Sequence, residues 1–188
     1  MVRRKSASPA TNKQIRVNIT KLKNYVDAAN SEIGSFRRTF TLSPDKIING
    51  ASAFQSLTWD SVAYGTSELN KVPNQRGIYA FAIRHESSVL PPHGYILYIG
   101  IAGRRSKRSL RARFEDYLDE NKVIARSNIA YMIGTWSKVL RFFFATVDDN
   151  VTSVELETLE KQLNGALMPP FSIGDLEADV KRKQRAFR

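Results

Sequence analysis

Two segments rich in aromatic and β-branched residues constrain the fold more than any other part of the sequence. They are residues 77–84 (GIYAFAIR) and 95–101 (YILYIGI), and the stretch between them contains two prolines and a glycine. Aromatic and β-branched residues favour strands, whereas proline and glycine interrupt them. The sequence therefore predicts a β-hairpin with a loop over residues 85–94, which also holds the only two histidines, His85 and His93.

Patterns typical of helices and strands alternate after the hairpin. Residues 109–118 (SLRARFEDYL) and 124–136 carry apolar residues at helical spacing, and residues 139–147 (VLRFFFATV) are the most strand-like stretch of the chain. Ser153, followed by glutamates, predicts the start of a helix with a leucine stripe, which a pair of prolines ends. We expect an α/β fold with a small, mainly antiparallel, three-stranded sheet flanked by helices.

The terminal regions differ from this central part, which we place at residues 76–172. Residues 1–12 are basic, small and polar, and predict a disordered arm. Residues 13–75 form an N-terminal extension that either augments the core or recognises DNA, and its first part, up to residue 30, has the spacing of a helix. Residues 173–188 form a basic helix or tail, suited to the DNA backbone or simply solvated, with Lys181, Arg182, Lys183, Arg185 and Arg188.

The composition indicates an anionic partner. There are 29 Lys and Arg residues against 18 Asp and Glu, which gives a formal net charge of +11. Such an excess favours nucleic acid first and an acidic membrane surface second, and a basic protein with no nucleic-acid role is the alternative. Without cysteine the chain has no disulfides and no Cys-based zinc site. No secretion signal or membrane-spanning run is recognisable, so we expect a cytoplasmic protein, or a nuclear one in a eukaryote, with no membrane partner.

Basic residues are densest just after the hairpin. No acidic residue occurs between residues 101 and 113, and this segment passes from a glycine-containing loop into the start of a helix. That combination predicts a phosphate-binding surface. Its cations are Arg104, Arg105, Lys107, Arg108, Arg111 and Arg113.

Four separated elements resemble the motifs of the GIY-YIG endonuclease superfamily. Residues 77–79 (GIY) and 98–100 (YIG) are similar to its two signature tripeptides, and Arg113, just before an aromatic residue of a predicted helix, is similar to its catalytic arginine. Glu160, which precedes a leucine and then a proline on the expected pattern, resembles its metal-binding glutamate. The elements follow the family's order over residues 77–172, roughly half of the chain.

The resemblance implies a metal-dependent DNA endonuclease with the GIY-YIG nuclease fold. Tyr79 would act as the general base toward the attacking water, and Tyr98 would contact the scissile phosphate or its water. Arg113 would neutralise the developing charge, and Glu160 would hold a single Mg²⁺ or Mn²⁺ ion. The products would be 5′-phosphate and 3′-hydroxyl ends. One such site cuts one strand at a time, so a clean double-strand break would imply a homodimer or sequential nicking.

The sequence departs from the family's pattern in two places, and other interpretations of its residues stay open. The loop between the tripeptides is longer than is typical, and Ser172 stands where the family has an asparagine. The two tyrosines are also good strand formers, and the arginine also fits a solvated helix position. Glu155 and Glu157 compete with Glu160 for the metal, and Tyr117, one turn beyond the arginine, either shares the pocket or packs in the core. The alternative function is a non-catalytic module that binds nucleic acid or docks a partner.

Overall fold

The computed structural model describes residues 36–85, 93–104 and 108–172, together with single positions between 24 and 34. The predicted basic arm, most of the predicted N-terminal helix, most of the hairpin loop and the basic C-terminal segment lie outside the described residues.

The chain divides into two compact units, Met1–Arg38 and Thr39–Arg188. In the first unit, the described positions between 24 and 36 are helical. The second unit contains the sheet described below. It begins at residue 39, so the later part of the predicted N-terminal extension belongs to the same unit as the hairpin.

An antiparallel sheet of four strands forms the centre of the second unit. The two strands of the predicted hairpin pair with each other, and the strand expected over residues 139–147 pairs with the first of them, so all three predicted strands are confirmed. The spatial order of the strands is β1-β4-β2-β3. They are β1 (Asp60–Ala63), β2 (Gly77–His85), β3 (His93–Ala102) and β4 (Leu140–Thr146).

The expected count of three strands is wrong, because β1 adds a fourth at the edge of the sheet. It pairs with β4, so that Val62 lies opposite Phe142. Of its four residues only Val62 is buried, and the strand begins with Asp60. So short a segment has no alternation of apolar and polar residues that a sequence pattern could reveal, and its position depends on the free edge of β4.

The predicted loop of the hairpin is too long at both ends. His85 and His93 belong to the strands and pair with each other across β2 and β3. The register shifts between Phe81 and Ala82, where Leu97 is the extra residue of a β-bulge on the opposite strand. The strands continue to His85 and from His93, although the polar residues and the proline pair of this segment are typical of a loop.

In the described residues of the second unit, five α-helices and one short 3-10 helix surround the sheet. Within these residues no helix combines the length and the apolar character needed to cross a membrane. The helices are α1 (Pro44–Gln55), the 3-10 helix (Thr66–Lys71), α2 (Leu110–Leu118), α3 (Glu120–Ile124), α4 (Ser127–Trp136) and α5 (Ser153–Leu167).

Two predicted helix boundaries differ from the structure. The helix expected over residues 124–136 is α4, which begins at Ser127, and an additional short helix, α3, precedes it because the Asp119 carboxylate accepts hydrogen bonds from two backbone N–H groups at its start. At the start of α5, Thr152 rather than Ser153 is the cap, and it forms a capping box with Glu155. In both cases a side chain just ahead of the apolar pattern sets the boundary.

The two faces of the sheet carry separate hydrophobic cores. We call the face that bears Tyr79, Phe81 and Phe142 the α2 face, because it packs against α2, α3 and α4. The opposite face, which bears Ile78 and Ala80, is the α5 face, because it packs against Leu156 and Leu163 of that helix. Successive residues of a strand point to opposite faces, so GIYAFAIR supplies both cores from one strand.

Gly77 of β2 is packed too closely against its neighbours to leave room for a side chain. A Cβ atom there would lie 2.2 Å from the carbonyl oxygen of Ala145 and 2.9 Å from Leu110. We expect Gly77→Ala to lower the free energy of unfolding by roughly 1–3 kcal/mol, because backbone and core must both move apart. Urea denaturation measures this change.

A matched glycine provides the control. Gly134 lies within α4, and a Cβ atom there would meet nothing within 4 Å. We expect Gly134→Ala to raise the free energy of unfolding by roughly 0.5–1 kcal/mol, because alanine favours a helix over glycine. Equal effects of the two substitutions would contradict the assignment of Gly77 to a closely packed position.

Candidate active site

Three tyrosine side chains meet on the α2 face. Tyr79 lies on β2, Tyr98 on β3 and Tyr117 on α2. The hydroxyl oxygens of Tyr79 and Tyr117 are 2.9 Å apart and share a hydrogen bond. The ring centroid of Tyr98 lies 6.2 Å from that of Tyr79 and 6.4 Å from that of Tyr117. Tyr79 and Tyr117 are buried and Tyr98 is half-buried, so Tyr98 is the member of the cluster that solvent reaches.

The strand register explains why the tyrosines of the two tripeptides share a face. Across β2 and β3, Tyr79 pairs with Gly100 and Phe81 pairs with Tyr98. Residues opposite each other in an antiparallel pair point to the same face, so the two tyrosines are diagonal neighbours. A Cβ atom at Gly100 would lie 2.6 Å from the hydroxyl of Tyr79 and 3.0 Å from the ring of Tyr98. Glycine at this position therefore leaves the space that the phenol of Tyr79 occupies.

The environment of Tyr79 keeps its phenol neutral at ordinary pH. Burial raises the pKa of Tyr79 well above its usual value, and the neighbouring Tyr117 and Tyr98 raise it further. The charge of Arg113 lowers the pKa, but this effect is smaller than burial. Arg113 thus favours the phenolate of Tyr79, while desolvation, which favours the neutral phenol, outweighs it.

Arg113 stands beside the tyrosine cluster on α2. It is four residues before Tyr117, so the two side chains lie on the same side of the helix. Its side chain is 33% exposed, and its Nη1 atom is 4.0 Å from the carboxylate of Asp116. Its Nε atom is buried and has no hydrogen-bond partner among the described residues. Because the side chain is partly exposed and Nη1 is beyond hydrogen-bonding distance of Asp116, the outer part of the guanidinium is suited to binding an anion.

The other predicted phosphate-binding cations have different surroundings. Arg104 pairs with Glu157, and Arg108 pairs with Asp116. Arg111 donates to two backbone carbonyls of the segment before β2, so this side chain also ties α2 to that segment. Arg105 and Lys107 lie outside the described residues.

Three glutamates of α5 compete for the metal-binding role, and they have different surroundings. Glu155 caps the helix through Thr152, and these hydrogen bonds lower its pKa. Glu157 pairs with Arg104. Glu160 is half-buried on the same helix, whose Leu156 packs on the α5 face of the sheet. The structure thus brings Tyr79, Tyr98 and Arg113 together and places Glu160 on the helix that covers the opposite face.

The chain that leaves α5 passes along the outer edge of β3. The N–H of Phe171 donates to the carbonyl of Leu97, at 3.0 Å, and the Ser172 hydroxyl bonds both the N–H and the carbonyl of Ile99. Ser172, where the family has an asparagine, is therefore fully engaged in closing this edge. One turn beyond Glu160, Asn164 is buried, and its amide has no hydrogen-bond partner among the described residues.

Sequence reasoning missed three charged residues next to the cluster. Asp116 on α2 is buried and binds Lys122 of α3 at 2.7 Å. Arg126 places its guanidinium carbon 4.6 Å from the centre of the Tyr117 ring. Asp116 follows Arg113 by three residues in a predicted helix, and this spacing was the available signal; the contacts of Lys122 and Arg126 depend on how α3 folds back.

No family model, curated protein or solved structure matches the chain. Within residues 36–85, 93–104 and 108–172, no group of three His, Asp or Glu side chains could hold a metal ion. Three phenols, one of them accessible, and a guanidinium with an unpartnered donor are suited to binding an anion and transferring a proton.

The buried phenol of Tyr79 should make the protein less stable at alkaline pH. Unfolded tyrosine loses its proton near pH ~10, whereas native Tyr79 retains it, so the free energy of unfolding falls as the pH rises above that value. Tyr79→Phe should cost about 1 kcal/mol at neutral pH, because it removes a buried hydrogen bond. The difference between the two proteins should shrink by pH 11, as measured by urea denaturation at both pH values.

The control is Tyr95→Phe, which removes the hydroxyl of an exposed ring. This variant should lose stability with pH as the unaltered protein does. A constant difference between Tyr79→Phe and the unaltered protein at every pH would show that Tyr79 does not hold its proton more tightly in the native state.

Proposed function

We propose that the protein is a divalent-metal-dependent DNA endonuclease with the GIY-YIG nuclease fold. The observation that carries the proposal is the arrangement of the phenols of Tyr79 and Tyr98 beside the charge of Arg113. These three residues come from the three segments that resemble the superfamily's tripeptides and its catalytic arginine. An antiparallel sheet with helices on both faces is compatible with that fold.

Arg113 would bind the scissile phosphate. A phosphodiester is anionic and gains charge as water attacks, so a fixed cation at its non-bridging oxygens stabilises the transition state. The Nε atom of Arg113 is a buried donor without a partner in the described residues, and Asp116 is too far from Nη1 for a hydrogen bond. The guanidinium therefore keeps donors for a phosphate while a neighbouring carboxylate orients it.

The tyrosines would handle the attacking water and its proton. Tyr98 is the accessible phenol, so it would contact the phosphate or the water directly. Tyr79 would act as the general base in its phenolate form, which takes the proton of the water and becomes the neutral phenol that shares a hydrogen bond with Tyr117. Because burial raises the pKa of Tyr79, this step needs the positive charge of Arg113 to favour the phenolate.

Glu160 would hold the Mg²⁺ or Mn²⁺ ion. Its carboxylate and the buried, unpartnered amide of Asn164 stand one turn apart on α5 and offer hard oxygen donors. A donor set of this kind fits an ion that keeps most of its waters, although no cluster of three such ligands occurs in the described residues. When bound, the ion would stabilise the leaving 3′ oxygen, which gives 5′-phosphate and 3′-hydroxyl ends.

A single site of this kind cuts one strand. A homodimer, or two successive nicks, would therefore be needed to break a duplex. The excess of 11 positive charges favours association with DNA in the cytoplasm or nucleus, whatever the sequence that is cut.

The decisive experiment is a plasmid-nicking assay with Mg²⁺ or Mn²⁺ and with EDTA. The unaltered protein should nick the plasmid only with the metal. Arg113→Ala should lower the cleavage rate by about 100-fold or more, because a fixed charge at the transition state is lost. Glu160→Gln should abolish cutting and leave DNA binding largely intact, because the substitution removes a metal ligand and no phosphate contact.

Glu157→Gln is the matched control, one turn earlier on α5. It should cut within a few-fold of the unaltered protein. If Glu157→Gln abolishes cutting and Glu160→Gln does not, the wrong carboxylate has been assigned to the metal. A protein that binds DNA and cuts no form of it with any divalent ion would favour the non-catalytic module instead.

Gly100→Ala tests the position of the Tyr79 phenol. The new methyl group would overlap the hydroxyl and ring of Tyr79, so the phenol must move. We expect cleavage to fall by about 10-fold or more while DNA affinity changes little, because small displacements of a catalytic group cost rate. Cleavage at the original rate in a correctly folded Gly100→Ala protein would exclude Tyr79 from the reaction.

A further inference from the structure

Four cations from separate parts of the chain converge next to the tyrosine cluster. Arg108 precedes α2, Arg113 lies on it, Lys122 lies on α3, and Arg126 lies between α3 and α4. The side chain of Asp116 accepts from Lys122 at 2.7 Å and from Arg108, and is 4.0 Å from Arg113. One buried carboxylate thus holds Arg108 and Lys122 by hydrogen bonds and lies near the charge of Arg113.

Arg126 completes this group through other contacts. Its Nη2 atom donates to the backbone carbonyl of Asp116 at 3.5 Å, and its Nε atom donates to that of Lys122 at 3.2 Å. Its guanidinium also stacks over the ring of Tyr117. Arg126 is therefore held at the tyrosine cluster without a carboxylate partner among these contacts, and its charge stays uncompensated.

The group has an excess of positive charge. The four cations have as carboxylate partners only Asp116 and, at 3.7 Å from Lys122, Asp119 in the described contacts. About half of the side chains of Arg108 and Lys122 is exposed, 49% and 51%. The pKa of Lys122 is raised, mainly by its hydrogen bond to Asp116, so it is fully charged at ordinary pH. These cations are rigidly held, charged and accessible at once.

We propose that Arg108, Lys122 and Arg126 bind a second DNA backbone phosphate, next to the one that Arg113 would hold. Arg113 and Lys122 both approach the carboxylate of Asp116, with distances of 4.0 Å and 2.7 Å to its oxygens, so their charged groups are close to each other. That separation suits neighbouring phosphates of one strand. That the bound polymer is DNA rests on the proposed function. That these cations form a site for an anion is argued only from their contacts.

Asp116 is the positioning residue of this second site. A buried carboxylate is costly unless it is paired, and the cations that pair with it are thereby held in one place. A phosphate that binds to preorganised cations does not have to order them, so a charge on a fixed side chain contributes more than one on a mobile side chain. The net gain from Asp116 is therefore geometric, although its own charge repels DNA.

Binding measurements without metal test the site independently of cleavage. The probe is a fluorescently labelled 20-base-pair DNA duplex in EDTA, and the quantity is the slope of log K against log salt concentration. Lys122→Ala should weaken binding and reduce the magnitude of the slope by about one, which corresponds to one phosphate contact. Lys122→Arg should restore the slope. A Lys122→Ala protein with the original affinity and slope would overturn the proposal.

Lys46→Ala is the matched control, because Lys46 is an exposed cation on α1, which packs on α5 away from the α2 face. It should leave the slope unchanged, and a loss equal to that of Lys122→Ala would mean that only net charge matters, which contradicts the site. Asp116→Asn separates the two explanations further. It removes a negative charge, so attraction by net charge alone predicts tighter binding, whereas loss of the positioning residue predicts weaker binding.

The binding and cleavage measurements together distinguish failure of the second phosphate site from failure of the proposed nuclease function. If the slopes change as expected and no metal supports cutting, the second phosphate site stands and the nuclease proposal fails. If the protein cuts DNA and Lys122→Ala binds as the unaltered protein does, the nuclease proposal stands and the second site fails.

Discussion

The hydrogen bond between the hydroxyls of Tyr79 and Tyr117 is the interaction on which the arrangement of the candidate site depends. It joins the central strand β2 to helix α2 inside the core, where an unpaired phenol would be costly. Tyr64 anchors the same helix, because its hydroxyl donates to the carbonyl of Tyr117 at 2.6 Å. With the rotation of α2 thus fixed, Arg113, one turn earlier, must lie beside the tyrosines.

Sequence patterns predicted the fold where each element had several buried residues. Strands β2 and β4 contribute to both cores, and GIYAFAIR and VLRFFFATV are accordingly runs of apolar residues rich in aromatic side chains. Strand β1 contributes only Val62 to the core, so no pattern marks it. The short helix α3, which the sequence patterns did not predict, depends on the Asp119 cap, a polar contact that periodicity does not record.

The parts of the candidate site that depend on strand register and on helical spacing were predictable from the sequence. Tyr79 and Tyr98 share a face because of pairing, and Arg113 and Tyr117 share a side of α2 because of spacing. The role of Asp116 was not predictable from the sequence, because an aspartate in a charged helix resembles an exposed residue until its partners are known. Burial of the tyrosine cluster was also hidden, and it controls the pKa of Tyr79 more than the cations that the sequence displayed.

The position of the sheet edge determines how a carboxylate of α5 can take part in chemistry on the α2 face. Strand β3 is at the edge of the sheet, and the chain that leaves α5 follows that edge through Phe171 and Ser172. The half-buried Tyr98 lies on the same strand, whereas Tyr79 of β2 is buried against α2. A reaction shared between Glu160 and the phenols would therefore take place at the edge of β3. There the substrate would meet Tyr98 first, and Tyr79 would act through its hydrogen bonds from within the core.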